Sequence, residues 1–365
     1  GGIFTVVLVT GPKGVGKSTL ARTLLFSCLI NLIYLKNSSI FRNGLPVYLL
    51  DCDVGQAECT PPGCVSLHRI TLSLLGTALA SQICSFPQCY FFGSVTPASD
   101  PDLYMALFLD LLNCFREEAD AVSTLVINTC GWVEGFLFHS ILFPSLQFLV
   151  VLEHLPLDRP NYHVSSIYTA VFGFLLFTFS KFFFLSEQTA SLSRDLRTSA
   201  YFSKHLSLKA AAAFAEVPPL EVIFKKMSLY IHPLLGILRD THIFAALNCT
   251  LVALCSDEEK RRRIFNKDYM PFLIEEESVK LRCFGFGFIR AIDTDRHSFY
   301  VITPVKEEIL KVVNVFARGF NIDLPYYFMT QQVLQLFQFN SLQSNMYEEL
   351  KVRGPLKRAR KRHIH

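Results

Sequence analysis

Four residues near the start of the chain have the types and the spacing needed to hold a phosphate. Gly11, Gly16, Lys17 and Ser18 lie in the run GPKGVGKST, which satisfies the pattern G-x-x-x-x-G-K-[ST] in full. In such a loop the backbone N–H groups turn toward a β-phosphate, the lysine reaches the β- and γ-phosphates, and the hydroxyl ligates Mg²⁺. The predicted nucleotide-binding residues are Gly11, Pro12, Lys13, Gly14, Val15, Gly16, Lys17, Ser18 and Thr19.

Two carboxylates follow the next apolar run, in the stretch LLDCDVGQ. An aspartate at the carboxyl end of a strand beside the phosphate loop projects into the crevice where open α/β sheets bind their ligands. In phosphoryl transfer such a carboxylate orients Mg²⁺ or accepts the proton of an attacking hydroxyl. We assign Asp51 to the metal ion and Asp53 to the proton, with Gln56 positioning the hydroxyl. The alternative is that both aspartates only cap the segment that follows.

Two other classes of phosphate-loop protein are disfavoured by the sequence. A GTPase needs an [NT]-K-x-D guanine reader, and in the stretch beginning at Asn266 the aspartate comes one position too early. The partitioning ATPases carry a signature lysine where this chain has Pro12, and Lys13 comes one step late.

The composition describes an ordinary globular chain with local basic runs. Its 365 residues include 35 basic and 31 acidic side chains, for a net charge of +4. The basic residues concentrate at 259–263 and 351–362, so any nucleic-acid contact is expected to be local. The 11 cysteines form no CxxC pair and the chain opens without a secretory signal pattern, which indicates a reduced, intracellular protein.

The elements that must position these residues alternate between strand and helix. Apolar runs at 4–10, 46–51 and 123–129 predict buried strands, and the spacing of Leu20, Leu24 and Leu25 predicts a helix after the loop. This order predicts an α/β fold, a P-loop NTPase-type mostly parallel sheet flanked by helices, in residues 1–205. The alternating pattern at 281–305, with turn residues DTDR, predicts a hairpin in a smaller β-rich domain at 206–330. The basic residues 331–365 are predicted to be a disordered tail.

Two segments interrupt the predicted α/β core. Residues 31–45 contain a polar stretch, beginning at Leu32, that we interpret as a surface loop, and residues 136–185 are unusually rich in phenylalanine. Within the latter, 164–180 carries no charge over 17 residues, close to the minimum length of a membrane span. A buried helix, an irregular hairpin or translated non-coding sequence are the other interpretations, and we expect no membrane association.

Four motifs in order resemble the polynucleotide 5′-hydroxyl kinases of RNA processing, nearest the nucleolar branch that acts on pre-ribosomal RNA. They are the phosphate loop, DCDVGQAECTPPGCVSL at 51–67, VINTCGWV at 126–133 and SRDLRTSAYFS at 193–203. The matching segments span about 4–132 and 187–327. The resemblance implies ATP and Mg²⁺ as cofactors, with Lys17 and Ser18 on the triphosphate and metal.

The resemblance also implies roles for the remaining site residues. Asp53, beside Gln56, becomes the general base on the 5′-hydroxyl of RNA. Thr129, Gly131 and Trp132 match a T-x-G-W clasp in which the aromatic ring stacks on the terminal base. Read without the motif, Trp132 is a core residue.

The last motif implies a lid. Arg194 and Arg197 match a segment whose arginines neutralise the transferring phosphoryl group. Without the resemblance they read as a solvated helix face, and which of them is essential stays open. The predicted catalytic residues are Lys17, Asp53, Gln56, Arg194 and Arg197.

The resemblance implies the partners as well: RNA with a free 5′-hydroxyl, an endonuclease of pre-rRNA processing, and a location in the nucleus and nucleolus. The basic tail agrees with an RNA enzyme and with an import signal. The alternative function is a catalytically weak ATP-binding scaffold for such an endonuclease. A small-metabolite kinase is disfavoured by the TPPG segment and the tail.

Overall fold

The computed structural model describes part of the chain. The described residues are 5–11, 16–35, 46–71, 74, 86, 88–120, 123–130, 148–151, 189–206, 216–236, 240–258, 263–264, 271–274 and 278–325. All statements below concern these residues, and for 30–35 and a few other helix or strand positions they concern the backbone only.

The N-terminal half is built on four parallel strands. The strands are β1 (Thr5–Thr10), β2 (Val47–Cys52), β5 (Thr124–Thr129) and β6 (Phe148–Val151), and they lie in the order β2-β5-β1-β6. All three pairings between neighbours are parallel. The runs of β-branched and leucine residues in β1, β2 and β5 are almost entirely buried, as expected for a sheet covered on both faces. Two antiparallel strands, β3 (Cys64–Ile70) and β4 (Gln88–Phe91), extend the sheet beyond β2.

Three helices accompany this half. They are α1 (Lys17–Leu35), α2 (Pro101–Glu118) and α3 (Ala190–His205). Asp100 is the N-cap of α2, because its side chain accepts a hydrogen bond from Leu103 N at 2.9 Å. Pro101 takes the first helical position. Its apolar stripe of leucine, tyrosine and phenylalanine packs on the β2–β3 side of the sheet.

The C-terminal half is rich in strands. Its strands are β7 (Leu220–Ile223), β8 (Ser228–Ile231), β9 (Thr250–Ser256), β10 (Arg263–Ile264), β11 (Phe272–Ile274), β12 (Leu281–Asp293), β13 (Ser298–Ile302) and β14 (Val315–Arg318). Its helices are α4 (Asp240–Leu247) and the short α5 (Glu307–Leu310). Strands β12 and β13 form the antiparallel hairpin that the sequence predicts around DTDR.

The two halves join into one sheet. Within the described residues its order is β10-β11-β8-β14-β9-β12-β4-β3-β2-β5-β1-β6, with β13 and β7 branching from β12. The junction is the antiparallel pairing of β4 with the start of β12. The predicted fold class, an α/β P-loop sheet followed by a smaller β-rich part, is confirmed; the domain boundaries at 205 and 330 stay predictions.

Two details of the sequence prediction are wrong. Helix α1 continues to Leu35, so residues 32–35 are not part of a surface loop. Residues 148–151 form β6, beside β1, so this piece of the phenylalanine-rich segment belongs to the sheet rather than to a foreign insertion. The rest of 136–185, the uncharged run 164–180 and the tail 331–365 lie outside the described residues. Among the helices described, none is long and apolar enough to cross a membrane.

Candidate active site

The carboxyl ends of β1, β2 and β5 meet at one edge of the sheet, and α1 begins there. A cleft of about 820 Å³ opens at this edge. It is lined by eight residues that the sequence predicts for the site, namely Gly16, Lys17, Ser18, Thr19, Asp53, Gln56, Arg194 and Arg197. The topology therefore brings together segments that lie far apart in the chain.

The glycines of the phosphate loop have the backbone geometry that the motif requires. Gly11 ends β1 with φ of 140° and Gly16 precedes α1 with φ of 97°, a region that side chains with a Cβ rarely adopt. A Cβ on Gly16 would have no atom within 4 Å, so the open space beside it is available to a ligand. Pro12, Lys13, Gly14 and Val15 lie outside the described residues.

Lys17 lies at the floor of the cleft, with 7% of its surface exposed. Burial lowers the pKa of its ammonium group, and the negative charge of Asp53 acts in the opposite direction. A buried cation beside a carboxylate, at the amino end of a helix, is suited to a polyphosphate.

Asp53 stands at the end of β2 with one carboxylate oxygen held in place. Its Oδ1 accepts hydrogen bonds from the backbone N–H groups of Gly55 at 3.1 Å and Gln56 at 2.9 Å. Burial raises the pKa of Asp53, while these two bonds and the charge of Lys17 offset part of the rise. Gly55 is required by space, because a Cβ there would lie 2.9 Å from the carbonyl oxygen of Val95.

Asp51 lies beneath the cleft rather than in it. The residue is fully buried, its Oδ1 accepts from Asn128 Nδ2 at 3.2 Å, and its Oδ2 accepts from the N–H of Glu58. Burial raises the pKa of Asp51 to about 7, although the bond from Glu58 opposes the rise. Direct ligation of Mg²⁺ by Asp51 does not fit this geometry, and of the two predicted metal ligands only Ser18 lines the cleft.

The two lid arginines differ in their surroundings. Arg197 is buried, and its Nε donates to the carbonyl oxygen of Ala57 at 2.8 Å while Nη1 donates to that of Ser193 at 3.2 Å. Burial lowers the pKa of Arg197, and the charges of Glu58, Asp53 and Asp51 oppose that effect. Arg194 is partly exposed and lines the cleft from the first turns of α3.

The clasp motif is only partly described. Thr129 is buried at the end of β5, and its hydroxyl donates to the carbonyl oxygen of Val9 at 3.0 Å, which ties β5 to β1. Thr129 does not line the cleft, whereas its neighbour Cys130 does. Gly131 and Trp132 lie outside the described residues.

Sequence reasoning missed seven residues that line the cleft. They are Arg22, Val95, Thr96, Pro97, Cys130, Thr189 and Ala190. The sequence offered a signal for Arg22, because this residue follows Ser18 by one helical turn. In the structure, Arg22 Nε donates a hydrogen bond to Ser18 O at 3.3 Å and forms an ion pair with Glu58 at 3.3 Å. No sequence pattern indicated the loop of Val95, Thr96 and Pro97, since only the order of strands in the sheet brings it opposite Gly55.

The charges of the cleft fit a polyphosphate and its cation. Among the described residues that line the cleft, four are cationic, Lys17, Arg22, Arg194 and Arg197, and one is a carboxylate, Asp53. The hydroxyl of Ser18 offers an oxygen ligand in the same cleft. The sequence suggests that Asp53 follows the strand next to β1, but β5 lies between β2 and β1 in the sheet. A strand, glycine loop and helix, with an aspartate just after the next strand but one, define a P-loop nucleotide-binding protein.

Comparison with known proteins identifies the family within the P-loop class. The chain belongs to the family described as mRNA cleavage and polyadenylation factor CLP1 P-loop, whose model matches residues 11–204. A second family model, NOL9-like C-terminal domain, matches residues 215–324. The resemblance carried by the four sequence motifs is thereby confirmed.

Individual relatives agree with this assignment. The polynucleotide 5′-hydroxyl-kinase nol-9 of Caenorhabditis elegans is 32% identical over 349 residues, which cover 89% of this chain and 59% of that protein. The polynucleotide 5′-hydroxyl-kinase NOL9 of Arabidopsis thaliana is 28% identical and is covered to 86%, and that of Homo sapiens is 25% identical and is covered to 49%. The chain thus spans about six-tenths of the Caenorhabditis relative.

A solved structure shares the fold. The wild-type Clp1p–Pcf11p complex matches with a TM-score of 0.55 at 16% identity, over 86% of this chain and 73% of the solved one. At this identity the likeness supports the α/β P-loop fold alone.

Proposed function

We propose that the protein is an ATP-dependent polynucleotide 5′-hydroxyl kinase, which transfers the γ-phosphoryl group of ATP to the 5′-hydroxyl of RNA. The observation that carries the proposal is that Lys17 and Asp53 line the same cleft and interact electrostatically. A cation for the phosphates and a carboxylate for the hydroxyl proton are the two groups that this reaction needs. The names of the relatives support the same activity.

Asp53 is the general base of the proposed reaction. Because Oδ1 is occupied by the N–H groups of Gly55 and Gln56, Oδ2 receives the proton of the 5′-hydroxyl. The 5′-oxygen then forms its bond to the γ-phosphorus, and the bond from that phosphorus to the bridging oxygen of ADP breaks. The raised pKa of Asp53 makes it a better proton acceptor than an ordinary aspartate.

The cations of the cleft hold the phosphoryl group that is transferred. Lys17 reaches it from the loop, and Arg194 and Arg197 neutralise its equatorial oxygens from α3. Ser18 is the residue that would hold Mg²⁺, which supplies further positive charge to the phosphates when bound. Arg22, the ion partner of Glu58, adds a fourth positive group at the same wall.

The wider setting follows from the same assignment. We propose RNA bearing a free 5′-hydroxyl as substrate, an endonuclease of pre-rRNA processing as partner, and action in the nucleus and nucleolus. The C-terminal basic run 351–362 supports attraction to RNA phosphates. The proposed clasp, Gly131 and Trp132 next to Thr129, stacks on the terminal base.

Transfer of labelled γ-phosphate from ATP to a short single-stranded RNA with a 5′-hydroxyl tests the proposal. We expect labelled RNA from the full chain and none from an RNA that already carries a 5′-phosphate. Lys17→Ala and Asp53→Asn should each lower the rate by roughly 10²-fold or more, since each removes a group acting in the transition state.

Matched controls separate chemistry from general damage. Lys226→Ala and Asp295→Asn make the same chemical changes at exposed positions and should leave the rate unchanged. ATP binding without any transfer would replace the kinase by the scaffold function. Transfer that survives Asp53→Asn would remove Asp53 from the role of base.

A further inference from the structure

Four buried cysteines converge where the two halves of the sheet join. Cys64 begins β3, Cys89 lies in β4, Cys283 in β12 and Cys255 in β9, four strands that are neighbours in the sheet. Each is 0–1% exposed, and none forms a disulfide. The four thiols come from segments almost 220 residues apart in the chain, so only the fold assembles them.

The register of the strands places these cysteines side by side. Cys283 is the direct partner of Cys255 in the β12–β9 pairing. The pairs Leu281 with Phe91 and Arg282 with Tyr90 extend to bring Cys283 opposite Cys89. Cys64 is paired with Phe91, two residues from Cys89, and therefore lies diagonally beside that cysteine on the same face.

The distances between the sulfur atoms are close to those of a thiolate metal site. The Sγ atoms of Cys64, Cys89 and Cys283 all lie within 4.8 Å of one another. Ligands at 2.3 Å from a tetrahedral zinc ion are separated by about 3.8 Å, so the triangle is within about 1 Å of that spacing. Cys255 hydrogen-bonds with Cys283 but lies outside the triangle of three sulfur atoms.

We propose that Cys64, Cys89 and Cys283 bind a soft thiophilic metal ion of the Zn²⁺ or Cu⁺ class. The ion joins the P-loop half, through β3 and β4, to the C-terminal half, through β12. Each thiol that ligates the ion loses its proton to solvent, so binding releases protons and strengthens as pH rises.

Two features distinguish this cluster from cysteines that only fill a core. A register shift between Cys283 and Gly285 bulges β12 next to the cluster, the kind of irregularity that turns a side chain toward a site. The ion would also add a link across the junction, where the described residues of β4 and β12 share two register pairs.

The proposal is tested by measuring the metal content of the full chain. The protein is purified without chelators and without any affinity tag that binds metal. Elemental analysis should find about one Zn²⁺ or Cu⁺ per chain. The metal is then removed under reducing conditions and Co²⁺ is added to the metal-free protein. The absorption spectrum should show a sulfur-to-cobalt charge-transfer band. Cys89→Ala and Cys283→Ala should abolish both signals, whereas Cys114→Ala, a half-buried cysteine outside the cluster, should keep them.

The outcomes that would overturn the proposal are distinct from a folding failure. Wild-type protein that contains no stoichiometric soft metal and gives no cobalt charge-transfer band shows that the cysteines are core packing. Metal that persists in Cys89→Ala and Cys283→Ala shows that another part of the chain binds it. Because the wild-type measurements need no variant, the proposal is decided even where a substitution prevents folding, and neither outcome affects the kinase assay.

Discussion

Asp51 and Asp53 show how two identical side chains, two residues apart, take different roles. Strand β2 ends at Cys52, so Asp51 remains under the sheet edge while Asp53 emerges into the cleft. Both carboxylate oxygens of Asp51 accept hydrogen bonds from neighbouring N–H groups, whereas one oxygen of Asp53 does so. The sequence places both near the site, but it does not tell which one lies above the strand end.

The first prediction concerns the pH dependence of the proposed reaction. Asp53 must be ionised to accept a proton, and its pKa is raised by burial above the ordinary value of 3.8. The rate kcat/KM should therefore fall, as pH is lowered, at a higher pH than an ordinary aspartate would dictate. Rates of phosphate transfer measured from about pH 4 to pH 8 check this. A rate that stays constant down to the ordinary range would contradict the role of Asp53 as base.

The second prediction concerns the stability provided by Asp51. Asp51→Ala strips the N–H of Glu58 and the amide of Asn128 of their buried acceptor, at about 1 to 3 kcal/mol for each group. Asp51→Asn keeps the shape, and the Asn128 amide can turn its Oδ1, which accepts no hydrogen bond from the described residues, toward the new NH₂ group. Denaturant unfolding should therefore show a large loss for alanine and a loss below about 1 kcal/mol for asparagine.

Wild type and Asp51→Asn also show how the stability provided by Asp51 depends on pH. The folded pKa of Asp51 is about 7 and the ordinary value is 3.8, so the folded state binds the extra proton between them. The contribution of Asp51 to stability is complete below pH 3.8 and is lost as pH rises through 7. The difference in unfolding free energy between wild type and Asp51→Asn should fall across this interval. A difference that grows with pH would show that Asp51 is ionised throughout.

At the scale of elements, α3 is a helix with one anchored end. Tyr201 and Phe202, near its C-terminus, are fully buried against Phe86 and Phe286. Its N-terminal turns carry Arg194 and Arg197 over the cleft. The motif in the sequence predicts a lid, and the packing shows which part of this helix is held in the core and which part lines the cleft.

The third prediction separates the two lid arginines. Arg194→Ala should lower phosphate transfer without changing the unfolding temperature, because the side chain is partly exposed and faces the cleft. Arg197→Ala should lower both, by about 1 to 3 kcal/mol in stability, since it leaves the carbonyl of Ala57 without its donor. Arg290→Ala, a partly buried arginine of β12, serves as the control for activity. Equal stability of both lid variants would contradict the anchoring role of Arg197.

The elements themselves were predictable to different degrees. The strands at 5–10, 47–52 and 124–129 are apolar runs with clear ends, and they were predicted within one residue. The end of α1 was not, because residues 32–35 continue the apolar helix into a region where only later polar residues signal a loop. The short strand β6 has polar residues, Gln147 and Glu153, close to both ends, but it was missed because the phenylalanine-rich segment around it was interpreted as an insertion.

At the scale of the whole molecule, the site depends on a junction that the sequence does not reveal. Beyond the two register pairs of β4 and β12, Lys280 Nζ lies 2.7 Å from Asp110 Oδ2. Tyr201 also joins the halves, since its hydroxyl accepts a hydrogen bond from Phe286 N at 3.0 Å. These contacts link residues 85 to 170 positions apart, and no local pattern encodes such pairs. The change of pattern along the chain predicts two units, and the strands of both units join one continuous sheet.

The last prediction is that the described halves unfold together. Phe286 is fully buried, and its ring lies 6.2 to 6.3 Å from those of Tyr201, Phe86 and Phe91, so it contacts the lid helix and the P-loop half at once. Phe286→Ala should lower the unfolding free energy by about 3 to 5 kcal/mol, while the exposed Leu234→Ala should change it by less than about 0.5 kcal/mol. Because the lid helix rests on the same ring, ATP should protect the variant less than wild type in a thermal scan. Two separate transitions in wild type, with only the later one shifted by Phe286→Ala, would show instead that the P-loop half holds the cleft without its neighbour.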